Sequence, residues 1–246
     1  MPVFVVSPEC VTAPTISITG DLLVHLRDSL RITVGETLWL GDGQGTRYRT
    51  EITDVSKRAV TGRILETIQE PPCHTPRLIL GQSLLKGEKM DWVIQKATEL
   101  GVSEIVPIES RHSVVQIKAD RVGHQLTRWQ RIAVEAAQQS EQWRVPAITS
   151  PQSLTALLKS RVTGTVTLML TERRDGTSLQ TISLPKDSTG CVLIVIGPEG
   201  GWSQEELTLA EQLDIQPMTL GPSILRAETA AISAVSILQS RLGKLE

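Results

Sequence analysis

The stretch Ile196-Gly197-Pro198-Glu199-Gly200-Gly201-Trp202-Ser203 joins a run of aliphatic residues to the predicted start of a helix. The preceding run, Val192 to Ile196, is continuously apolar, which is typical of a strand buried on both faces of a parallel sheet. Ser203 and Glu206 have the spacing of a capping box and predict a helix through Leu213. Because ligands of parallel α/β sheets bind beyond the carboxyl ends of the strands, this turn is a candidate ligand loop. The alternative is a strand-to-helix turn that binds nothing.

A second turn of this kind follows a predicted strand from Pro217 to Leu220 and reads Leu220-Gly221-Pro222-Ser223-Ile224-Leu225-Arg226-Ala227-Glu228. A helix is predicted after it, from Ala227 to Leu242. Arg226 and Glu228 fall in the first turn of that helix, where the helix dipole favours a carboxylate. Two interpretations stay open at this point: a helix cap with a surface charge, or a catalytic pair.

A third segment combines lysines with a predicted helix from Glu88 to Leu100, which Gly101 ends. Lys86, Lys89 and Lys96 either contact phosphate or form a solvated face. From residue 78 onward, predicted strands alternate with predicted helices, which indicates a mostly parallel sheet covered on both faces. Further strands are predicted at 78–80, 104–108 and 165–170, and further helices at about 119–140 and 151–158.

The first seventy residues have a different pattern. Two strand-like runs, 37–40 and 48–52, flank the Gly/Asp cluster 41–45 and predict a hairpin. A helix is predicted from Leu22 to Leu30, and further strands at 3–6 and 59–68. The segment 69–76 holds three prolines and reads as a linker. The sequence therefore predicts a small β-barrel domain at 1–72 and an α/β domain at 73–246.

Composition restricts the partners. The net charge of −2 gives no support for a nucleic-acid partner, so any contact with RNA would have to use local basic patches rather than the global field. The three cysteines, Cys10, Cys73 and Cys191, are too far apart for a metal site, so no metal is expected. With neither a signal peptide nor a membrane segment predicted, we expect a cytoplasmic protein without a membrane partner.

Taken in order, these segments resemble the RsmE family of 16S ribosomal RNA uracil-N3 methyltransferases, which belongs to the SPOUT superfamily. The resemblance rests on Lys86-Gly87-Glu88-Lys89-Met90-Asp91-Trp92, Gln95 to Val102, Gly197 to Gly201, and Leu220 to Ala230. The block Arg128-Trp129, Ile132-Ala133, Glu135 to Ala137, Gln139-Ser140 and Val145-Pro146 extends it. His25-Leu26, Leu30-Arg31, Gly35-Glu36 and Asp42-Gly43 extend it into the first domain.

The resemblance implies a fold, a cofactor and a reaction that the spacing of residues cannot predict. It implies a PUA-like RNA-binding barrel followed by a SPOUT-type parallel sheet with a trefoil knot, and a homodimer. It implies S-adenosylmethionine as cofactor and methylation of N3 of a specific uridine, U1498, in 16S rRNA, with the small ribosomal subunit as the expected context. The dimer is expected to use the apolar face of the last helix, at Ala231, Val235 and Leu238.

The resemblance also suggests site residues. Three loops are expected to bind the cofactor, through Leu170, Thr171, Glu172, Ile196, Gly197, Pro198, Glu199, Gly200, Gly201, Leu220, Gly221, Ile224, Leu225 and Arg226. Arg226 is the candidate that stabilises charge on the base, and Glu228 is a weaker candidate for a catalytic base. RNA contacts are expected from Arg111, Lys118, Arg121, Arg128, Arg144, Lys86 and Lys89, with further basic residues at 47, 49, 57, 58 and 63.

The chain departs from the family pattern at two positions, where Val3 and Gln142 replace arginines that are usual in the family. Arg144 stands near the second of these. Two rival functions remain open. One is a SPOUT methyltransferase that acts on another RNA position or on a ribose 2′-hydroxyl. The other is an RNA-binding module without activity.

Overall fold

The chain divides into two compact units in a computed structural model, which describes residues 3–172 and 177–245. The first unit comprises Met1–Pro72 and Ala137–Val145, and the second comprises Cys73–Ala136 and Pro146–Glu246. The first unit thus includes a short segment from the middle of the chain as well as the predicted stretch 1–72. The division of function between 1–72 and 73–246 stays a prediction.

A six-stranded sheet forms the first unit. Its strands are β1 (Val3–Val5), β2 (Val11–Thr12), β3 (Thr15–Ile18), β4 (Thr37–Gly41), β5 (Thr46–Val55) and β6 (Val60–Gln69). The order is β1-β4-β5-β6-β3-β2, with β1 and β4 parallel and the other pairs antiparallel. The sheet curls round a core that includes Phe4, Ile16, Leu26, Leu40 and Ile52.

The predicted hairpin is confirmed, since β4 and β5 pair around residues 42–45. Asp42 Oδ1 accepts hydrogen bonds from the amides of Gln44 (2.7 Å) and Thr46 (2.9 Å), which closes the turn. The helix predicted at 22–30 differs from the structure. Helix α1 (Gly20–Val24) passes into a π-helical turn, His25–Ser29, because the amide of Leu30 bonds to the carbonyl of His25.

The segment 137–145 completes the first unit. Its Gln138 Oε1 accepts a hydrogen bond from the amide of Val5 (3.2 Å), and the amide of Val145 donates to the carbonyl of Gly43 (2.9 Å). The guanidinium carbon of Arg47 lies 3.9 Å from the centre of the Trp143 ring, a cation–π contact. Without these residues, the β1 edge and the β4–β5 hairpin would both lose packing partners.

An eight-stranded, wholly parallel sheet forms the second unit. Its strands are β7 (Arg77–Ser83), β8 (Glu104–Glu109), β9 (Ala147–Ile148), β10 (Gln152–Ser153), β11 (Val166–Leu170), β12 (Thr177–Ser178), β13 (Cys191–Ile196) and β14 (Gln216–Thr219). The order is β10-β8-β7-β13-β11-β14-β12, with β9 beside β8. All six residues of β13 are buried, as the apolar run predicts.

Five further helices occur in the described ranges: α2 (Lys89–Glu99), α3 (Val122–Gln139), α4 (Leu154–Ser160), α5 (Gln204–Gln212) and α6 (Ala227–Arg241). The helix predicted to open at Pro151 begins later, because Gln152–Ser153 pair with β8 and Ser153 Oγ then caps α4 by accepting from the amide of Ala156. The helix predicted at about 119–140 begins with a 3₁₀ turn, Ala119–Arg121. The α-helical part therefore starts at Val122.

The last helix corrects the argument for a dimer. Ala231, Val235 and Leu238 are fully buried within the single chain, where α6 packs against α2, β7 and β13. Gln239 strengthens this packing, since its Nε2 donates to the carbonyl of Leu100 at the end of α2 (2.7 Å). The apolar face of α6 is thus used within the fold, and these three residues do not form a dimer surface.

Candidate active site

Three loops meet at one edge of the second unit's sheet. Strands β13, β11 and β14 are neighbours and run parallel, so their carboxyl ends lie at the same edge. The loops that follow them begin after Leu170, Ile196 and Thr219. This is the edge where ligands of parallel α/β sheets bind.

A cavity of about 710 Å³ opens between these loops, within the size range of small-molecule sites. Every residue that the sequence predicted for cofactor binding lines it: Leu170, Thr171, Glu172, Ile196, Gly197, Pro198, Glu199, Gly200, Gly201, Leu220, Gly221, Ile224, Leu225 and Arg226. The lining also includes residues that the sequence analysis missed: Lys89, Trp202, Leu207, Thr219, Ser223, Ala227 and Ala230. Ile224 is 73% exposed, which leaves an aliphatic surface open to a ligand.

Trp202 braces two of the loops. Its indole Nε1 donates to the carbonyl of Leu170 (2.8 Å), the last residue of β11. A Cβ atom on Gly197 would lie 3.1 Å from the same ring, so this glycine leaves room for the indole. Gly197 therefore allows a side-chain contact inside the wall of the cavity, a role that a glycine-rich motif does not reveal by itself.

The predicted capping box is confirmed at the start of α5. Ser203 Oγ accepts from the amide of Glu206 (3.3 Å), and Glu206 Oε2 accepts from the amide of Ser203 (2.8 Å). These bonds satisfy two amides that a helix start leaves unpaired, and they fix the point where the glycine-rich turn ends.

Lys89 lies at the cavity rather than on a remote face. Its Nζ is 3.1 Å from Glu199 Oε1 and 3.4 Å from Glu228 Oε1. The hydrogen bond to Glu199 raises the pKa of Lys89 above its usual value. Burial alone would raise the pKa of Glu199, but hydrogen bonds from backbone amides and from Lys89 outweigh it and lower that pKa. Both groups are therefore charged at neutral pH.

Arg226 and Glu228 have different positions. Arg226 is the N-cap residue of α6, lines the cavity and is exposed, and its side chain makes no ion pair with any carboxylate in the described part of the chain. Glu228 does not line the cavity. Its side chain is 15% exposed and contacts Lys89, while its Oε2 is buried and has no hydrogen-bond partner among residues 3–172 and 177–245. A catalytic role for either residue stays a prediction.

The predicted RNA-contacting residues are mostly exposed. Lys86, Arg111, Lys118, Arg121 and Arg128 are all exposed in the second unit. Lys118 and Arg121 make no ion pair with a carboxylate among the residues that the structure describes. Arg128 is partly neutralised, because its Nε lies 3.1 Å from Asp91 Oδ2. Arg111 helps to lower the pKa of Glu205, after the backbone and Ser203 hydrogen bonds to that carboxylate.

Three of the basic residues of the first unit form ion pairs with glutamates. Arg144 Nε lies 2.5 Å from Glu70 Oε2, and Arg63 lies 2.7 Å from Glu51. Arg49 lies 3.5 Å from Glu66. Val3, at a position where the family usually has an arginine, is buried in β1. These ion pairs reduce the positive charge that the first unit offers to a phosphate backbone.

Residues 3–172 and 177–245 contain no helix long and apolar enough to cross a membrane. The same residues contain no cluster of three or more histidine, cysteine or acidic side chains that could hold a metal ion.

Similarity to known proteins covers both units. A family model described as an RNA methyltransferase domain matches residues 72–239, and one described as an RNA methyltransferase PUA domain matches residues 18–65. "Ribosomal RNA small subunit methyltransferase E" of Bacillus subtilis is 33% identical over 232 residues, which is 92% of this chain and 90% of that protein. The protein of the same name from Synechocystis is 30% identical, over 97% of this chain and 77% of the relative.

Among solved structures, a ribosomal RNA small subunit methyltransferase E from Neisseria gonorrhoeae, bound to S-adenosyl methionine, has a TM-score of 0.87 and 29% identity. The match covers 98% of each chain. The resemblance inferred from motifs thus extends over nearly the whole fold.

We predict that Lys89→Met raises the pKa of Glu199. The substitution removes the ammonium that lowers this pKa and leaves the burial that raises it. In the wild type the lowered pKa stabilises the fold above the ordinary Glu pKa of 4.5, and this contribution is lost as pH falls through the folded-state value. Carboxyl ¹³C chemical shifts followed during an acid titration measure the change.

Lys86→Met is the matched control, because its side chain is exposed and Glu199 receives a bond only from its backbone amide. The Glu199 titration midpoint should stay at the wild-type value in this variant. Equal midpoints in the two variants would contradict the assignment of Lys89 as the partner of Glu199.

Proposed function

This chain belongs to the RsmE family of S-adenosylmethionine-dependent, small-subunit ribosomal RNA methyltransferases, and from that membership we propose that it methylates N3 of a specific uridine, U1498, in 16S rRNA. The observation that carries the proposal is the cavity at the three strand ends, which contains every residue that the family motifs predicted for the cofactor. The SPOUT assignment and the trefoil knot are consistent with the solved relatives.

The cavity suits S-adenosylmethionine in size and in lining. Leu220, Ile224 and Leu225 offer aliphatic surface to a flat base, and the backbone of residues 197–201 offers hydrogen-bonding groups. The carboxylates of Glu172 and Glu199 supply negative charge for a cationic ligand. When bound, the cofactor supplies an electrophilic methyl group. The protein's contribution is to hold that ligand and the target base in fixed positions.

The target nitrogen of uridine carries a proton and becomes nucleophilic only as the proton leaves, so negative charge develops on the base. A cationic donor close to that charge lowers the barrier. We assign this role to Arg226, which lines the cavity and makes no carboxylate ion pair in the described residues. Lys89 is less suited, since two carboxylates already share its charge.

Glu228 remains the proposed base only as a second choice. Its contact with Lys89 supports a structural role, because it holds the ammonium at the rim of the cavity. A carboxylate that does not line the cavity would need a mediating group to take up a proton from the base. Lys89, which contacts Glu228 and lines the cavity, would have to relay that proton.

We propose that 16S rRNA, in the small ribosomal subunit, binds through the second unit at Lys118 and Arg121, supported by Lys86, Arg111, Arg128 and Lys89, with Arg144 contributing from the first unit. The exposure of Lys118 and Arg121 and the absence of a carboxylate partner in the described chain support this choice. The target base has to be unstacked for N3 to be reached, so a loop or single strand is expected.

A cytoplasmic location follows from the substrate, and a homodimer is expected from the family.

We predict that Gly221→Ala weakens the binding of S-adenosylmethionine by about 5- to 100-fold, because its φ of +126° strains any residue with a Cβ. Relaxation of this strain would move the loop that contributes Leu220, Ile224 and Leu225 to the cavity. Isothermal titration calorimetry on the full chain measures the dissociation constant.

Gly164→Ala is the control, since Gly164 also has a positive φ (+87°) with open space around it but does not line the cavity. It should lower stability without changing cofactor affinity. If both variants bind as the wild type does, the third loop is not part of the cofactor site.

The reaction itself has a direct test. Incubation of the protein with small-subunit ribosomal RNA and S-adenosylmethionine, followed by nuclease digestion and mass spectrometry, should yield 3-methyluridine. Arg226→Ala should lower the rate at saturating substrates by about 100-fold or more, as expected for loss of a donor to a developing anion.

Arg226→Lys retains the charge and should keep part of the rate. Recovery of a 2′-O-methylated nucleoside instead of 3-methyluridine would assign the enzyme to another target. RNA binding without any methylated product would favour a binding module.

For the RNA surface, we predict that Arg121→Ala weakens RNA binding and reduces the dependence of log K on log salt by roughly 0.7 per lost phosphate contact. Arg128→Ala should have a smaller effect, because Asp91 already neutralises part of its charge. Fluorescence anisotropy with an RNA oligonucleotide at several salt concentrations measures both slopes. An unchanged slope for Arg121→Ala would show that this residue only faces solvent.

A further inference from the structure

We infer that His112 is a positioning residue for the cofactor site: its imidazole fixes the Gly200–Gly201 turn. The inference rests on the proposed function of the cavity as a cofactor site. His112 follows β8, far from the turn along the chain, and no local motif connects the two segments.

The first contact is a bifurcated hydrogen bond. His112 Nδ1 lies 3.2 Å from the carbonyl oxygen of Gly200 and 3.2 Å from that of Gly201. Both oxygens are acceptors, so Nδ1 must carry the proton and donate to them. One side chain therefore fixes two consecutive peptide groups of the turn.

The second contact is steric. A Cβ atom on Gly200 would lie 3.0 Å from His112 Cβ and 3.3 Å from its carbonyl oxygen. The backbone of the turn thus packs directly on the His112 residue, and a larger side chain at 200 would push His112 back by a few tenths of an ångström. The close packing at Gly200 thus involves His112, a residue that does not line the cavity.

A third contact holds the same loop next to the turn. The amide of Arg111 donates to Glu206 Oε1 (3.0 Å), while Glu206 Oε2 accepts from the amide of Ser203. One carboxylate therefore joins the start of α5 to the loop that carries His112. The hydroxyls of Ser110 and Ser113 lie 2.7 Å apart across this loop and close it.

These contacts matter because the turn is rich in glycine. Residues 197, 200 and 201 are glycines, and Gly201 has a φ of +70°. Glycine loses more backbone freedom on ordering than any other residue, so a turn that orders only on ligand binding would bind weakly. A preformed turn avoids that loss at the moment of binding. His112 holds the turn in this conformation before the ligand binds.

The test compares full-length variants at position 112. His112→Phe keeps a ring and removes the donor, whereas His112→Asn places an amide nitrogen at the position of Nδ1. Calorimetry should show S-adenosylmethionine binding about threefold to tenfold weaker in His112→Phe, the range for loss of one hydrogen bond. His112→Asn should restore binding toward the wild-type value. His74→Ala, which removes an exposed histidine, should leave it unchanged.

Two further readouts separate positioning from other roles. Hydrogen exchange should be faster at residues 197–203 in His112→Phe without ligand, including the amide of Gly201 that bonds to the carbonyl of Pro198. In steady-state assays KM for the cofactor should rise, while kcat and KM for RNA should stay constant.

Unchanged cofactor affinity and exchange in His112→Phe would overturn the inference while leaving the proposed function intact. A change confined to KM for RNA would also overturn it, since His112 would then contact the substrate. A wild-type protein that binds no S-adenosylmethionine would overturn the proposed function and, with it, this inference.

Discussion

The parallel pairing of β11 between β13 and β14 is the constraint on which the site depends. Leu168 is in register with Ile194 on one side and with Gln216 on the other, so β11 cannot slip without breaking both ladders. A slip by one residue would also exchange the two faces of the strand. Because the three strands are held in register, their loops begin at one edge and enclose a single cavity. The chemistry proposed for Arg226 requires this alignment.

The sequence predicts features whose partners are close in the chain. The capping box at Ser203 and Glu206 and the hairpin around Asp42 depend on spacings of a few residues, which a motif records directly. The apolar run in β13 likewise predicts a buried strand. For the same reason two loops of the cavity could be predicted, since those after β13 and β14 are local strand-to-helix turns. The loop after β11 leads to β12 instead, and only the family resemblance suggested it.

Contacts between distant segments could not be predicted in this way. Lys89 and Glu199 are 110 residues apart, so the sequence alone left a phosphate contact and a solvated face open for Lys89. Ala231, Val235 and Leu238 show the same limit: their pattern indicates a buried face, but not that α2 and the sheet of the same chain bury it. The glycines of the turn could be predicted as a motif. That Gly197 leaves room for the Trp202 ring could not be predicted, because it depends on the position of the indole in the folded chain.

The placement of residues 137–145 has a consequence for the modularity of the protein. The chain passes between the two units three times, after Pro72, after Ala136 and after Val145. A cut at the proline-rich segment therefore does not yield an intact first unit, since it removes the partner of the Val5 amide and the ring beneath Arg47. The two units are interlaced in sequence, so neither can be exchanged as a whole by recombination at a single junction. We therefore expect the two units to be inherited together.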